Sequence, residues 1–300
     1  MNQPLKGIVP PLVTPMLNST TIDVEGLERL INHIIGGGVH GLFVLGTTGE
    51  AQSLSYAMRR QMIELTCKFA NGRVPVLVGI TDTSMEESVT LAKFAAQNGA
   101  SAVVSAHPYY YAAAQPEQIY FYQRLADQLP LPLFLYNMPS HTKVIFEPAT
   151  VRKLAEHKNI IGLKDSSANG TYFQKLCYEL RDVKDFTLLV GPEEMMAETV
   201  LLGGHGGVNG GANIFPKLYV DLYNAAVARD FEKINLLHEK VMQISKLIYG
   251  VGKYGSSYLK GVKCALSLKG ICSGYLIEPY EEFKAPEREI IKKALETIGL

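Results

Sequence analysis

The chain has 300 residues, with 29 Lys plus Arg against 29 Asp plus Glu and a formal charge of zero. A hydrophobic fraction of 47% beside 19% charged residues belongs to a globular chain able to bury a large core, and it excludes a disordered one. Balanced charge without a basic stripe excludes a nucleic-acid surface, and no apolar run avoids Gly, Pro or charged residues for long enough to span a bilayer.

The opening MNQPLKGIVPPLVTP has the pattern of neither a signal nor a transit peptide, and it contains the first of several short apolar runs, GIVPPLVTP. Asp23 is placed to cap a helix over VEGLERLINHII, which runs out in Gly36, Gly37 and Gly38. After the runs GLFVLGTT and VPVLVGIT, Ser84 and Glu87 form an S-x-x-E box at the head of a helix that ends at QNGA. SAVVSAHP is followed by FYQRLADQLP, a helical stretch closed by proline. LPLFLYNMP, IIGLKDSS, FTLLVGPEE and GGVNGGAN complete the series. These runs are continuous rather than alternating, as strands buried on both faces of a parallel sheet must be.

Eight strand-then-helix units predict a (β/α)8 TIM barrel over residues 1–229, in preference to a doubly wound sheet, for which no switch point is evident. Residues 230–300 differ in kind. FEKINLLHEKVMQISKLIYG, SSYLKGVKCALSLKG and APEREIIKKALETIG predict a C-terminal three-helix extension packed on the barrel or on a neighbouring subunit. Cys67, Cys177, Cys264 and Cys272 form no C-x-x-C pair, so free thiols in a reducing cytoplasm are expected.

In a barrel the site lies at the C-terminal ends of the strands. Those ends carry GTTGE (Gly46–Glu50), HPYYY (His107–Tyr111), YNMPSH (Tyr136–His141), Lys164 with Asp165, GPEE (Gly191–Glu194) and Val208 to Gly211. Strand ends at a surface are ordinary places for lysine. At a barrel mouth, after Ile160, Ile161 and Leu163, Lys164 becomes a candidate nucleophile, because burial favours the neutral amine that attacks a carbonyl. Tyr136 ends the preceding strand, where a phenol can shuttle protons or simply cap the barrel. GTTGE offers hydroxyls and backbone amides in a glycine-flanked turn, a nest suited to a carboxylate. The tyrosines of HPYYY read equally as core or interface residues. His107 and His141 have no metal-ligand spacing with a carboxylate, so no metal is expected.

The glycine cluster GGHGGVNGG invites a dinucleotide reading, but Asn209 stands where G-x-G-x-x-G requires its last glycine. GVGKYGSS fails as a phosphate loop, with Tyr254 after Lys253 and Leu247 at the first glycine position.

GTTGE, PYY, YNMPS, GLKD and GGHGGVNGGAN, in this order within Gly7 to about Phe215, together resemble the dihydrodipicolinate synthase and N-acetylneuraminate lyase family of class I, Schiff-base aldolases. The resemblance implies that Lys164 forms an imine with pyruvate or another 2-oxo acid and that no cofactor is needed. It implies Tyr136 as proton shuttle, Thr48 relaying protons beside it, and Thr47 helping to hold the carboxylate. Tyr110 would complete the relay from across a subunit interface, which implies a homo-oligomer, a tetramer or dimer. Gly191 and Val208 match positions on the pocket wall.

The departures concern the second, aldehyde substrate. The synthases carry an arginine at the position of His141, and a neutral histidine offers no bidentate cationic fork. Sialic-acid lyases carry G-x-D-E for sugar hydroxyls where this chain has GPEE, so Glu193 and Glu194 are the expected counterparts, and Gly210 replaces the serine of that site. The expected activity is reversible aldol cleavage of a hydroxylated 2-oxo sugar acid. Dihydrodipicolinate synthesis for lysine production, dehydration through the same imine, and a non-catalytic small-molecule-binding barrel are the alternatives.

Overall fold

A computed structural model describes residues 4–299. The apolar runs form strands β1 (Gly7–Ile8), β4 (Leu42–Val44), β5 (Val76–Gly79), β6 (Ala102–Ala106), β7 (Leu133–Asn137), β8 (Ile160–Asp165), β9 (Thr187–Val190) and β10 (Gly206–Gly207). All eight are parallel, in the order β1-β10-β9-β8-β7-β6-β5-β4. Beyond β1 the chain reaches the other edge. Pro11 bridges Phe43, the Phe43 amide donates to Pro10 O (3.0 Å) and the Leu12 amide donates to Phe43 O (2.8 Å). The sheet is therefore curled until its edges meet, as in a TIM barrel.

Both faces of this sheet are dry, which is why its strands read as continuous apolar runs. Val9, Phe43, Val104, Phe134, Leu189 and Val208 fill the interior, whereas Val44, Val78, Val103, Leu135, Leu163 and Val190 pack outward under the helices. Asp23 accepts from the Gly26 amide (2.9 Å) to cap the helix Val24–Gly36, and Ser84 accepts from the Glu87 amide (3.4 Å) to cap Met85–Gln97, as the sequence predicts. The antiparallel hairpin of β2 (Met16–Asn18) and β3 (Thr21–Ile22) was not predicted. Its strands are too short for a periodicity, and its turn is held by the Asn18 side chain accepting from the Thr20 amide (3.0 Å).

After Arg229 the regular elements among the described residues are helical: Phe231–Ile244, a π-helical turn Ser245–Tyr249, Ser257–Leu268 and Ala285–Ile298. The first of these was expected to run as one helix. Its π turn swings Ser245 and Tyr249 toward the barrel mouth, where both bond the glutamates of GPEE. Among the described residues no helix is long and apolar enough to cross a membrane.

Candidate active site

The register of β7 against β8 creates the centre of the site. Leu133 pairs with Ile160 and Phe134 with Gly162, an irregularity that sets Tyr136 opposite Lys164. Gly162 is obligatory at this crossing, since a Cβ there would fall on the Phe134 ring. Lys164 Nζ lies 4.1 Å from the centroid of the Tyr136 ring and 5.0 Å from that of Phe43, with the residue only 6% exposed. Asp165, the next residue, faces outward and is fully buried. It accepts from Asn137 Nδ2 (2.8 Å), the Ser167 amide (3.0 Å) and Ser167 Oγ (2.9 Å), which ties the ends of β7 and β8 together.

Burial alone would raise the Tyr136 phenol, but Lys164 beside it and hydrogen bonds from Thr47 and Ser166 outweigh that and hold it below the ordinary value. A phenol so placed gives up its proton more readily than a free tyrosine. Thr47 Oγ1 is 3.2 Å from the Tyr136 hydroxyl, whereas Thr48 Oγ1 is 3.1 Å from the hydroxyl of Tyr258. This corrects the expected roles: Thr47, not Thr48, stands beside Tyr136. The two are adjacent in an irregular turn whose ends, Leu45 (φ 61°) and Glu50 (φ 54°), are left-handed, and no side-chain period predicts which hydroxyl turns inward.

Lys164, Tyr136, Thr47, Thr48, His141, Gly191, Glu193, Glu194 and Val208 all line one cavity of about 710 Å³. Gly191 has no room for a side chain, since a Cβ there would strike Ser166 Oγ. Glu193 departs from its expected role. Its carboxylate accepts from the Gly211 amide (2.9 Å), the Tyr219 hydroxyl (2.5 Å) and the Tyr249 hydroxyl (2.7 Å), and burial against these bonds pushes it up to about 7. Three protein donors therefore occupy the group expected to bind sugar hydroxyls. Glu194 is less committed, with one oxygen accepting from Ser245 Oγ (2.6 Å).

His141 lies at the exposed rim with Nδ1 2.9 Å from Ser140 Oγ. Partial desolvation, then Lys143, pulls its imidazole below the ordinary value, so it is uncharged at neutral pH. Tyr110 is not in the cavity. It is 76% exposed and packs edge-on against Tyr111 (5.0 Å between centroids), while its neighbour Tyr109 lines the rim. His107 is a buried core residue against Phe121 and Tyr122. Among the described residues no group of three or more His, Cys, Asp or Glu is placed to hold a metal.

Sequence reasoning missed the C-terminal contribution. Tyr249 and Tyr258, packed edge-on with centroids 4.9 Å apart, close the cavity above Gly210. A Cβ at Gly210 would fall on the Tyr258 hydroxyl, which explains why the serine expected in a sialic-acid site is absent. Burial raises the Tyr258 phenol far enough to keep it protonated. The two tyrosines belong to helical segments with ordinary amphipathic patterns, so nothing in the sequence sets them apart.

The fold and its strand-end site define a barrel enzyme of the lyase and aldolase class. The chain belongs to the dihydrodipicolinate synthetase family, whose model matches residues 4–298. The structure of dihydrodipicolinate synthase from Bacteroides thetaiotaomicron is similar at 64% identity and a TM-score of 0.97, covering 99% of this chain and 100% of that one. A 4-hydroxy-tetrahydrodipicolinate synthase of Methanocaldococcus jannaschii is 35% identical over 98% of this chain and 99% of its own. A probable 2-dehydro-3-deoxy-D-pentonate aldolase of Escherichia coli is 32% identical over 93% of each. The resemblance read from the strand-end motifs is thus correct at the level of the family.

Proposed function

We propose that this protein cleaves and forms a carbon–carbon bond through an imine on Lys164, acting on a hydroxylated 2-oxo acid of the 2-keto-3-deoxy sugar-acid kind. The observation that carries this reading is Lys164 Nζ, buried and 4.1 Å from the Tyr136 ring, with Thr47 on the phenol. The unprotonated amine attacks the C2 carbonyl, whose oxygen leaves as water. The C4 hydroxyl then gives up its proton, the C3–C4 bond breaks, and its electron pair flows to the imine nitrogen. An aldehyde departs, the enamine takes a proton at C3, and water releases pyruvate from Lys164.

Tyr136 moves these protons and Thr47 carries them onward, toward Tyr110 of a second copy in a homodimer or tetramer. The exposure of Tyr110 supports that placement. Thr48 and the amides of the threonine turn hold the substrate carboxylate. On the far side, Glu194, held by Ser245, and Tyr258 form a neutral-to-acidic wall suited to hydroxyls, and the uncharged His141 is a poor seat for a second carboxylate. We read residues 1–229 as the barrel that performs the chemistry and 230–300 as a helical extension packed on it. Four free cysteines fit a reducing cytoplasm.

Dihydrodipicolinate synthesis is the second reading, favoured by the 64% identity to a protein of that name. Intact mass after incubation with pyruvate and borohydride tests the imine. Wild type and Lys143→Ala should gain a reduced pyruvyl group, and Lys164→Ala should gain none. A wild type unmodified at saturating pyruvate sinks the lyase reading and brings forward the non-catalytic barrel. Pyruvate release from 2-keto-3-deoxy sugar acids, against consumption of aspartate semialdehyde, separates the first reading from the second.

A further inference from the structure

The threonine turn is held in a shape that its own sequence does not favour. Leu45 and Glu50 are both left-handed without being glycine, and such conformations persist only where the surroundings impose them. The imposing contact comes from far along the chain. One oxygen of the buried Glu50 carboxylate accepts from the Ile277 amide (3.0 Å), and the other accepts from Lys263 Nζ. Lys263 sits in the helix Ser257–Leu268 at 0% exposure, and its ammonium also donates to Tyr275 O (2.7 Å). Tyr258, in the first turn of the same helix, reaches Thr48 (3.1 Å). A single C-terminal helix therefore grips the turn at two points.

A fully buried ion pair is a poor device for stability, because packed apolar residues of the same size serve as well or better. What it supplies here is direction: two charges with one mutual geometry, fixing the backbone that follows Gly49. We propose that Lys263 is a positioning residue, which by clamping Glu50 holds the turn so that the Thr47 hydroxyl meets Tyr136. Lys263 does not line the cavity. The inference rests on the reading above in taking the contact of Thr47 with Tyr136 as part of the proton path.

Lys263→Met alone strands a buried carboxylate, so the informative protein is Glu50→Gln with Lys263→Met, which removes both charges at nearly constant volume. Deuterium uptake into the methyl group of pyruvate in D2O reads proton transfer at C3 without any aldehyde, and borohydride trapping reads the imine. The folded double variant should trap pyruvate to the wild-type extent and exchange at least tenfold more slowly, and adding Thr47→Val should slow it no further. A structural role alone would lower the melting temperature and leave exchange at the wild-type rate.

An activity-independent readout is the titration of Tyr136, followed by NMR of ring-labelled tyrosine and assigned with Tyr136→Phe. Its midpoint should rise in the double variant, and likewise in Thr47→Val. Should the wild type neither trap nor exchange pyruvate, the functional reading fails and this titration still decides the clamp. An unmoved Tyr136 midpoint overturns the proposal. So does a double variant that cannot fold, which would make the pair a folding element.

Discussion

Glu193 offers the most quantitative test of the cavity wall. It is 4% exposed, and burial pushes its carboxyl from 4.5 up to about 7 despite the donors Gly211, Tyr219 and Tyr249. In the unfolded chain the same group titrates near ~4.3. Between these values the folded protein holds a proton that the unfolded chain has released, so the stability this group contributes is complete below about pH 4.5 and is lost as pH rises through about 7. At about 1.4 kcal/mol per pH unit from 4.5 to about 7, the loss amounts to about 3.5 kcal/mol in full, of which about 3 falls between about pH 5 and pH 8. Glu193→Gln keeps the shape of the protonated form and cannot ionise. Urea unfolding of both proteins should show the wild type losing about 3 kcal/mol relative to the variant between about pH 5 and pH 8. Parallel stability curves would refute the reasoning, because they would mean that Glu193 ionises at its ordinary value and that its three donors fully offset burial.

Two further outcomes follow from the geometry. Tyr136→Phe should slow borohydride-trappable adduct formation by roughly a hundredfold while leaving the final extent unchanged, since the amine remains and only its proton shuttle is gone. Quenched time courses measure this, and an unchanged rate removes Tyr136 from the relay. Gly210→Ser should cost about 1–3 kcal/mol, because the new side chain meets the Tyr258 hydroxyl. In a Tyr258→Ala background that cost should vanish, and an equal fall in melting temperature in both backgrounds would show that the two residues do not compete for the space.

The barrel was legible because its physics leaves a strong trace. Strands dry on both faces need unbroken apolar runs, and a lysine after Ile160, Ile161 and Leu163 is conspicuous against them. The place of Lys164 at the barrel mouth was legible for the same reason, because in a closed parallel sheet the C-terminal end of a strand lies there. The threonine turn was legible as a nest but not as a geometry, because Leu45 and Glu50 take left-handed conformations that only tertiary contacts impose. The bonds that hold Glu193 were not legible because its partners, Tyr219 in the helix Pro216–Ala228 and Tyr249 in the π turn, are remote in sequence and carry no local signal.

These outcomes divide the molecule by function. The groups assigned to imine chemistry, Lys164 and Tyr136, are set by strand register and by the bare Gly162, so they cannot move without disturbing the sheet. The wall that would meet the rest of the substrate is set differently, by Ser245, Tyr249 and Tyr258 reaching in from the C-terminal helices over Gly210 and Glu194. A substitution there changes the space and the hydrogen bonds that the cavity wall offers while the lysine stays where the strands hold it. Relatives named as synthase and as sugar-acid aldolase both align with nearly the whole of this chain, which is what such a division permits. On the proposed reading, the choice of aldehyde falls to the helical segment and the glycines beneath it, with His141 an uncharged edge at the rim.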